Sequence, residues 1–71
     1  MNKHTLTIYD PITQANRQIE IRISPEDGLW TFEVRFDGET TILASGSGIR
    51  AARAEEILAL AEVSARGSRR V

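Results

Sequence analysis

The spacing of apolar residues changes once along this chain, and the change limits the folds that the chain can adopt. Between about residues 3 and 45, apolar and polar side chains alternate, which is the period of half-buried β-strands. Between about residues 50 and 66, apolar side chains recur at three- and four-residue steps, which is the period of an amphipathic helix. The sequence therefore predicts several strands followed by one helix.

Turn-forming residues divide the alternating region into four strands. Asp10-Pro11 ends the first strand, because proline cannot donate to a strand ladder. Residues 24–28 contain a proline and a glycine at positions that predict a turn, and Asp37-Gly38 is a strong hairpin signal. The predicted strands cover residues 3–10, 17–24, 29–36 and 39–45.

The length of the last hairpin loop decides which residues of the fourth strand point inward. A two-residue loop at positions 37–38 pairs Phe32 with Leu43, whereas a three-residue loop at positions 36–38 pairs Phe32 with Ile42. We favour the three-residue loop because it sets opposite charges across the ladder. It assigns Ile42 to the apolar face of the sheet and Leu43 to the polar face.

Residues 50–66 predict a single C-terminal helix. Glu55 near its start and Arg66 at its end suit the helix dipole. Gly67 is a plausible C-terminal cap, and residues 67–71 are expected to form a frayed tail. The apolar stripe of the helix contains Ala54, Ile57, Leu58, Ala61 and Ala65.

Packing this stripe on the sheet gives a two-layer α+β fold. The predicted sheet is four-stranded and antiparallel in β-β-β-β-α order, and residues 1–71 are expected to form a single small domain. One helix covers only part of four strands, so part of the apolar face and both sheet edges are expected to stay accessible. The apolar face is predicted to contain Leu6, Ile8, Ile19, Ile21, Ile23, Trp30, Phe32, Val34, Ile42 and Ala44.

Composition excludes several kinds of chemistry. The 71 residues include no cysteine, which rules out disulfides, thiolate metal sites and a thiol nucleophile. The single histidine, His4, has no evident orienting partner, and the acidic residues do not occur at the spacing of metal ligands. We therefore expect no enzymatic activity, no catalytic residues, no metal and no cofactor.

Charge and residue type bear on nucleic-acid binding in opposite directions. Nine basic residues against ten acidic ones lack the positive excess that is usual in non-specific nucleic-acid binders. Eight of the nine basic residues are arginine, whose planar group suits phosphates and bases. Arg22 and Arg35 are placed on the open polar face of the sheet, where Tyr9 is the one aromatic side chain. Binding of single-stranded nucleic acid is the alternative function.

Residues 46–51, Gly-Ser-Gly-Ile-Arg-Ala, fit the pattern G-x-G-x-x-[G/A] of dinucleotide-binding loops. Such a loop also requires a second strand after the helix, and none is predicted here. A flexible connector between strand and helix is the simpler interpretation, and anion binding at the helix start is the other. Residues that would contact an anion or nucleic acid are Gly46, Gly48, Arg50, Arg53, Arg69 and Arg70.

We expect a small non-enzymatic protein-interaction module. It would bind a protein partner, or a second copy of itself as a homodimer, through a sheet edge or the partly covered apolar face. Trp30 is either a core residue or, where the helix does not reach it, an interface anchor. No apolar run has the length of a membrane-spanning or signal segment, so we expect no membrane contact and a cytoplasmic location. The candidate interface residues are Tyr9, Arg22, Trp30, Arg35 and Leu43.

Overall fold

A computed structural model describes residues 2–70 and has the predicted α+β fold. Four strands form one antiparallel sheet in the order β1-β2-β3-β4, and the helix packs on one face of it, over β2, β3 and β4. Met1 and Val71, the two ends of the expected domain, lie outside the described residues. The elements are β1 (Asn2–Asp10), β2 (Ala15–Glu26), β3 (Leu29–Phe36), β4 (Ile42–Ile49) and α1 (Ala54–Ser68).

The core lies between the sheet and α1. Three isoleucines of β2 alternate with polar residues and are fully buried, as the period of two predicts. The stripe of α1 meets them with Ile57, Ala61 and Ala65, which recur every four residues. The buried apolar residues are Ile8, Ile19, Ile21, Ile23, Phe32, Val34, Phe36, Ile57, Ala61 and Ala65.

The β2–β3 connection is tighter than predicted. Instead of a turn over residues 24–28, Asp27 and Gly28 alone form the loop, and both have positive φ angles, 51° and 77°. Positive φ at both central residues is typical of a type I′ hairpin, whose twist matches that of the strands. The strands therefore continue to the pair Glu26–Leu29, and β2 is longer than the predicted strand.

The β3–β4 pairing follows neither predicted register. Gly38 has a φ of 82° and lies in a turn in which the N–H of Glu39 donates to the carbonyl of Phe36 (3.0 Å), but β4 begins only at Ile42. Ile42 pairs with Arg35, and Ala44 pairs with Val34, the residue before Arg35. Leu43 between them is therefore an extra, bulged residue.

The bulge reverses the predicted faces of two residues. An extra residue in one strand exchanges the sides to which its neighbours point. Ile42 is 47% exposed, and Leu43 is half-buried and packs against the core. The assignment of Ile42 to the apolar face and Leu43 to the polar face is therefore wrong.

The glycine-rich segment predicted as a connector belongs to the sheet. β4 extends through Gly46 and Gly48 to Ile49, and Gly48, with a φ of 65°, lies at a second register shift. The ring of Phe32 lies against Gly46 so closely that an added Cβ would be 2.6 Å from Phe32 Cε1. The longer strand delays the helix, which begins at Ala54 rather than at residue 50.

The C-terminal end of α1 also differs from the prediction. The helix continues through Gly67, expected as its cap, to Ser68, and the N–H of Arg69 donates to the carbonyl of Arg66 (3.2 Å). Arg66 also forms an i,i+4 ion pair with Glu62, in which Arg66 Nε lies 3.3 Å from Glu62 Oε2. No helix within residues 2–70 has the length and apolar character needed to cross a membrane.

Replacing Gly46 with alanine is expected to destabilise the fold. The new methyl group would overlap Phe32, and overpacking of this kind costs about 1–3 kcal/mol. Gly67→Ala is the matched control, because a Cβ there meets nothing within 4 Å and helix propensity favours alanine. Urea unfolding of both variants checks this. Equal stability of the two variants would contradict the close packing at Gly46.

Candidate functional site

The backbone groups that β1 leaves unpaired follow from the sheet register. The N–H of Asp37 donates to the carbonyl of Gln18 (3.0 Å), so the backbone of Gln18 faces β3. The backbone N–H and C=O groups of successive residues point to opposite neighbouring strands. The backbone groups of Ile19 therefore point to β1, where the partner of Ile19 is Leu6. Leu6 and the other even-numbered residues of β1 therefore bond to β2. The N–H and C=O groups of Lys3, Thr5, Thr7 and Tyr9 face away from the sheet.

The two edges of the sheet differ in how well they are protected. β4 shifts register twice against β3, and such bulges hinder pairing with a further strand. β1 keeps one register with β2 over its whole described length, Asn2–Asp10, and contains neither bulge nor proline. Its only charged residues are Lys3 and Asp10, and the Asp10 side chain is fully buried. The β1 edge is therefore the more open template for an added strand.

The side chains of β1 offer a polar outer surface and an inner surface on which the partly buried Leu6 follows exposed Asn2 and His4. Tyr9 is 54% exposed, while Leu6 points to the other face and is partly buried against the core. α1 packs mainly over β2, β3 and β4, and along the inner face of β1 Ile8 is buried while Leu6 is partly exposed. A strand added at this edge would meet apolar and polar residues on opposite sides.

Four charged side chains form a balanced quartet on the open face of the sheet. In the register, Glu20 lies opposite Arg35, and Arg22 lies opposite Glu33. Each arginine also bonds within its own strand: Arg22 Nε to Glu20 Oε1 at 2.5 Å, and Arg35 Nε to Glu33 Oε1 at 2.9 Å. Each arginine thus has a carboxylate as its direct partner, and the quartet carries no net charge.

The quartet includes a carboxylate that neighbouring strands largely bury. Glu20 is only 7% exposed. The hydrogen bond from Arg22 lowers the pKa of Glu20 against the effect of burial, and the charges of Arg22, Lys3 and Arg35 add to this. Glu20 therefore stays ionised at neutral pH and neutralises the arginines around it. A shallow depression of about 300 Å³ lies beside the quartet, where the hydroxyls of Ser24 and Thr31 are 2.9 Å apart.

The start of α1 provides its own partner for the backbone donors there. The carboxylate of Glu56 accepts hydrogen bonds from the N–H groups of Ala52 (2.7 Å) and Arg53 (3.3 Å). The N–H of Arg53, the N-cap residue, is one of the donors at the helix start, and Glu56 therefore already places a carboxylate where an anion would bind. Arg50 and Arg53 are exposed, and the two glycines of the expected loop lie in β4.

A buried ion pair at the far end of the sheet was not foreseen. Asp10 accepts two hydrogen bonds from Arg69, Nε at 3.1 Å and Nη2 at 2.8 Å, and others from Thr13 Oγ1 and the N–H of Ile12. Arg17 Nη1 lies 3.6 Å from the same carboxylate, and its guanidinium centre is 3.5 Å from the centroid of the Phe36 ring. Arg69 thus joins the end of α1 to the end of β1 and belongs to the fold rather than to an exposed tail.

Asp10 owes its charge to this pairing. The hydrogen bonds from Arg69 hold the pKa of the Asp10 carboxyl far below its ordinary value of 3.8, although burial acts in the opposite direction. The sequence around Asp10 does not predict its pairing with Arg69, which lies 59 positions away. Only Asp10-Pro11 with Thr13, a pattern typical of a side-chain-bonded turn, could have marked Asp10 as a structural residue.

The structure does not gather the five predicted interface residues at one place. Tyr9 lies on the β1 edge, and Arg22 and Arg35 lie on the two central strands of the open face. Trp30 points to the inner face, where it is partly buried and its Nε1–H donates to the carbonyl of Ala51 at 3.2 Å. Leu43 occupies the bulge of β4.

The remaining predicted contacts are also spread over the molecule. Gly46, Gly48, Arg50 and Arg53 lie along the end of β4 and the start of α1, whereas Arg69 is paired with Asp10. Arg70 is exposed beyond the helix. Within residues 2–70, no group of three or more His, Cys, Asp or Glu side chains is placed to hold a metal ion.

Comparison of the chain with protein-family models, curated proteins and solved structures finds no match. No function is carried over from a relative.

Stability is expected to fall in acid through Asp10. Because its pKa is lowered in the folded state, the unfolded chain takes up the proton first, and the stabilisation present above about pH 4 is lost as the pH falls below that value. Asp10→Asn should lower the urea midpoint at pH 7 and flatten its pH dependence between pH 7 and about pH 3. Glu62→Gln, at an exposed pair, should leave the pH profile unchanged. A wild-type profile for Asp10→Asn would contradict this role.

Proline substitutions test which backbone groups of β1 are unpaired. Thr5→Pro removes an N–H that faces away from the sheet, so the fold should survive with a loss within about 1 kcal/mol. Leu6→Pro removes an N–H that bonds to β2 together with an apolar contact, and should cost about 2 kcal/mol or more. Urea unfolding of both variants, with their far-ultraviolet circular dichroism, measures the difference. If Thr5→Pro were the less stable variant, the odd-numbered residues of β1, and not the even-numbered ones, would be those that bond to β2.

Proposed function

We propose that this protein is a small non-enzymatic interaction module, whose β1 edge binds a protein partner by strand addition. One observation carries the proposal: β1 is a nine-residue edge strand in unbroken register, and the backbone groups of four of its residues have no partner within the sheet. Backbone hydrogen bonds supply affinity in strand addition, while alternate side chains supply specificity. A cytoplasmic site of action is part of this proposal.

The surroundings of the edge favour a peptide over a charged polymer. Beside β1, the open face presents Tyr9 and Lys3, and the inner face presents Leu6. Tyrosine is frequent among the residues that dominate binding energy at protein interfaces. A partner with alternating polar and apolar residues would match both sides of the edge.

Nucleic-acid binding receives less support from the same face. Phosphate contacts need arginines whose charge is available, and Arg22 and Arg35 each pair with a glutamate. Of the other four arginines of that hypothesis, Arg69 is engaged with Asp10, whereas Arg50, Arg53 and Arg70 are exposed. Titration of the isotope-labelled protein with single-stranded DNA tests the nucleic-acid hypothesis. Binding through phosphates would weaken steeply with added salt.

A peptide selection tests the proposed function. Peptides of nine residues, the length of β1, are selected from a displayed random library against the wild-type protein. Bound peptides are then titrated into isotope-labelled protein at low micromolar concentration. We expect amide shifts at Lys3, Thr5, Thr7 and Tyr9, because the N–H groups of these residues acquire acceptors.

Two variants at one position provide the control. Thr5→Pro removes one of the available donors and should weaken peptide binding about tenfold or more, whereas Thr5→Ala keeps the donor and should bind as the wild type does. Peptides that shift residues of β4 or α1 instead would contradict the proposal. So would peptides that bind the proline variant with unchanged affinity.

A further inference from the structure

We infer that the strand bound by the β1 edge is β1 of a second copy of this chain, antiparallel to the first and related to it by a twofold axis at Leu6. The inference rests on the proposed function and names the partner. Closed twofold dimers, in which the same surface serves both copies, are the most common assemblies of soluble proteins. The pattern of β1 fits such a pairing in its backbone, its charge and its apolar residues.

The unpaired backbone groups restrict the register. In an antiparallel pair, residues directly opposite each other point their side chains to the same face of the sheet. In two identical strands, even-numbered residues must therefore lie opposite even-numbered ones and odd opposite odd. The twofold axis then passes beside one residue of β1 rather than between two residues. An axis at Leu6 pairs residue 2 with residue 10 and every residue between them, so all nine residues of β1 acquire a partner. An axis at Thr5 or Thr7 leaves two residues of β1 without a partner strand residue. The axis at Leu6 therefore pairs the largest number of β1 residues.

Charge on the strand is compatible with this register. The one exposed charge, Lys3, comes to lie opposite Tyr9 of the second copy, where an ammonium group can pack against an aromatic ring. The two lysines are then separated by six residues of strand, about 20 Å. Asp10 adds no repulsion because Arg69 already neutralises it.

The apolar contact lies on the axis itself. Leu6 bonds to β2, so across the dimer the two Leu6 residues form a non-hydrogen-bonded pair, with their Cα atoms about 4.5 Å apart. Each Leu6 is only partly buried in one copy, and the pair would cover both. α1 packs mainly over β2, β3 and β4 and meets β1 at Asp10 through Arg69, so the exposed N-terminal part of each β1 lies away from its own helix.

The absence of cysteine from the sequence makes the register directly measurable. A Leu6→Cys substitution should form an intermolecular disulfide under mild oxidation, because Cα atoms about 4.5 Å apart lie within the range that a disulfide spans. Thr5→Cys and Thr7→Cys each face the other position in the second copy, so neither should cross-link with its own kind as fast. Val63→Cys, on the exposed side of α1, controls for random collision.

Sedimentation equilibrium of the unmodified protein is the second measurement. Its mass should rise with concentration from 7.9 kDa toward twice that value. Thr5→Pro should shift this equilibrium about tenfold or more toward the monomer, and Thr5→Ala should not.

The outcomes separate this inference from the proposed function. Fast cross-linking of Leu6→Cys alone supports the second copy and its register, and faster cross-linking of Thr5→Cys or Thr7→Cys overturns the register. A mass of 7.9 kDa at all concentrations, with Leu6→Cys no faster than Val63→Cys, overturns self-pairing. If self-pairing is overturned in this way, peptide binding that Thr5→Pro abolishes still supports strand addition. If the wild-type protein binds no peptide either, the proposed function is also overturned.

Discussion

Burial of three isoleucines on β2 determines the register of the whole sheet. Ile19, Ile21 and Ile23 are each at most 1% exposed, and a slip of one residue would place all three in water. Since β2 lies between β1 and β3, its alternation decides which backbone groups each neighbour uses. The pattern of unpaired donors and acceptors along β1 is thus a consequence of apolar burial one strand away.

A single helix on four strands has a second consequence, because it cannot cover them equally. α1 begins beside the end of β4 and ends where Arg69 reaches Asp10 at the end of β1, so it crosses the sheet obliquely. Trp30 secures the first end through its bond to Ala51, and the buried ion pair secures the second. The outer strand β1 is therefore covered chiefly at its C-terminal end, and the sheet keeps one long accessible margin.

The fold could be predicted because its main determinants are local. Alternation places β1, β2 and β3 within a few residues of their observed bounds, and the helical stripe is correct. β4 could not be placed, because the bulge at Leu43 and the seating of Phe32 on Gly46 depend on contacts between strands. The same holds for surface features: the exposure of Tyr9 and of the sheet edges follows from local alternation, whereas the partner of Arg69 lies across the fold.

The ion pair between Asp10 and Arg69 also makes the two ends of β1 unequal in stability. It holds the C-terminal end of the strand in a buried site, while Asn2 at the other end is exposed. Local opening of the strand is therefore easier at Asn2 than at the anchored end, so among the amides that bond to β2, that of Ile8 should exchange with solvent more slowly than that of His4. The ion pair between Asp10 and Arg69 thus makes the C-terminal half of β1 the more persistent part of this sheet edge.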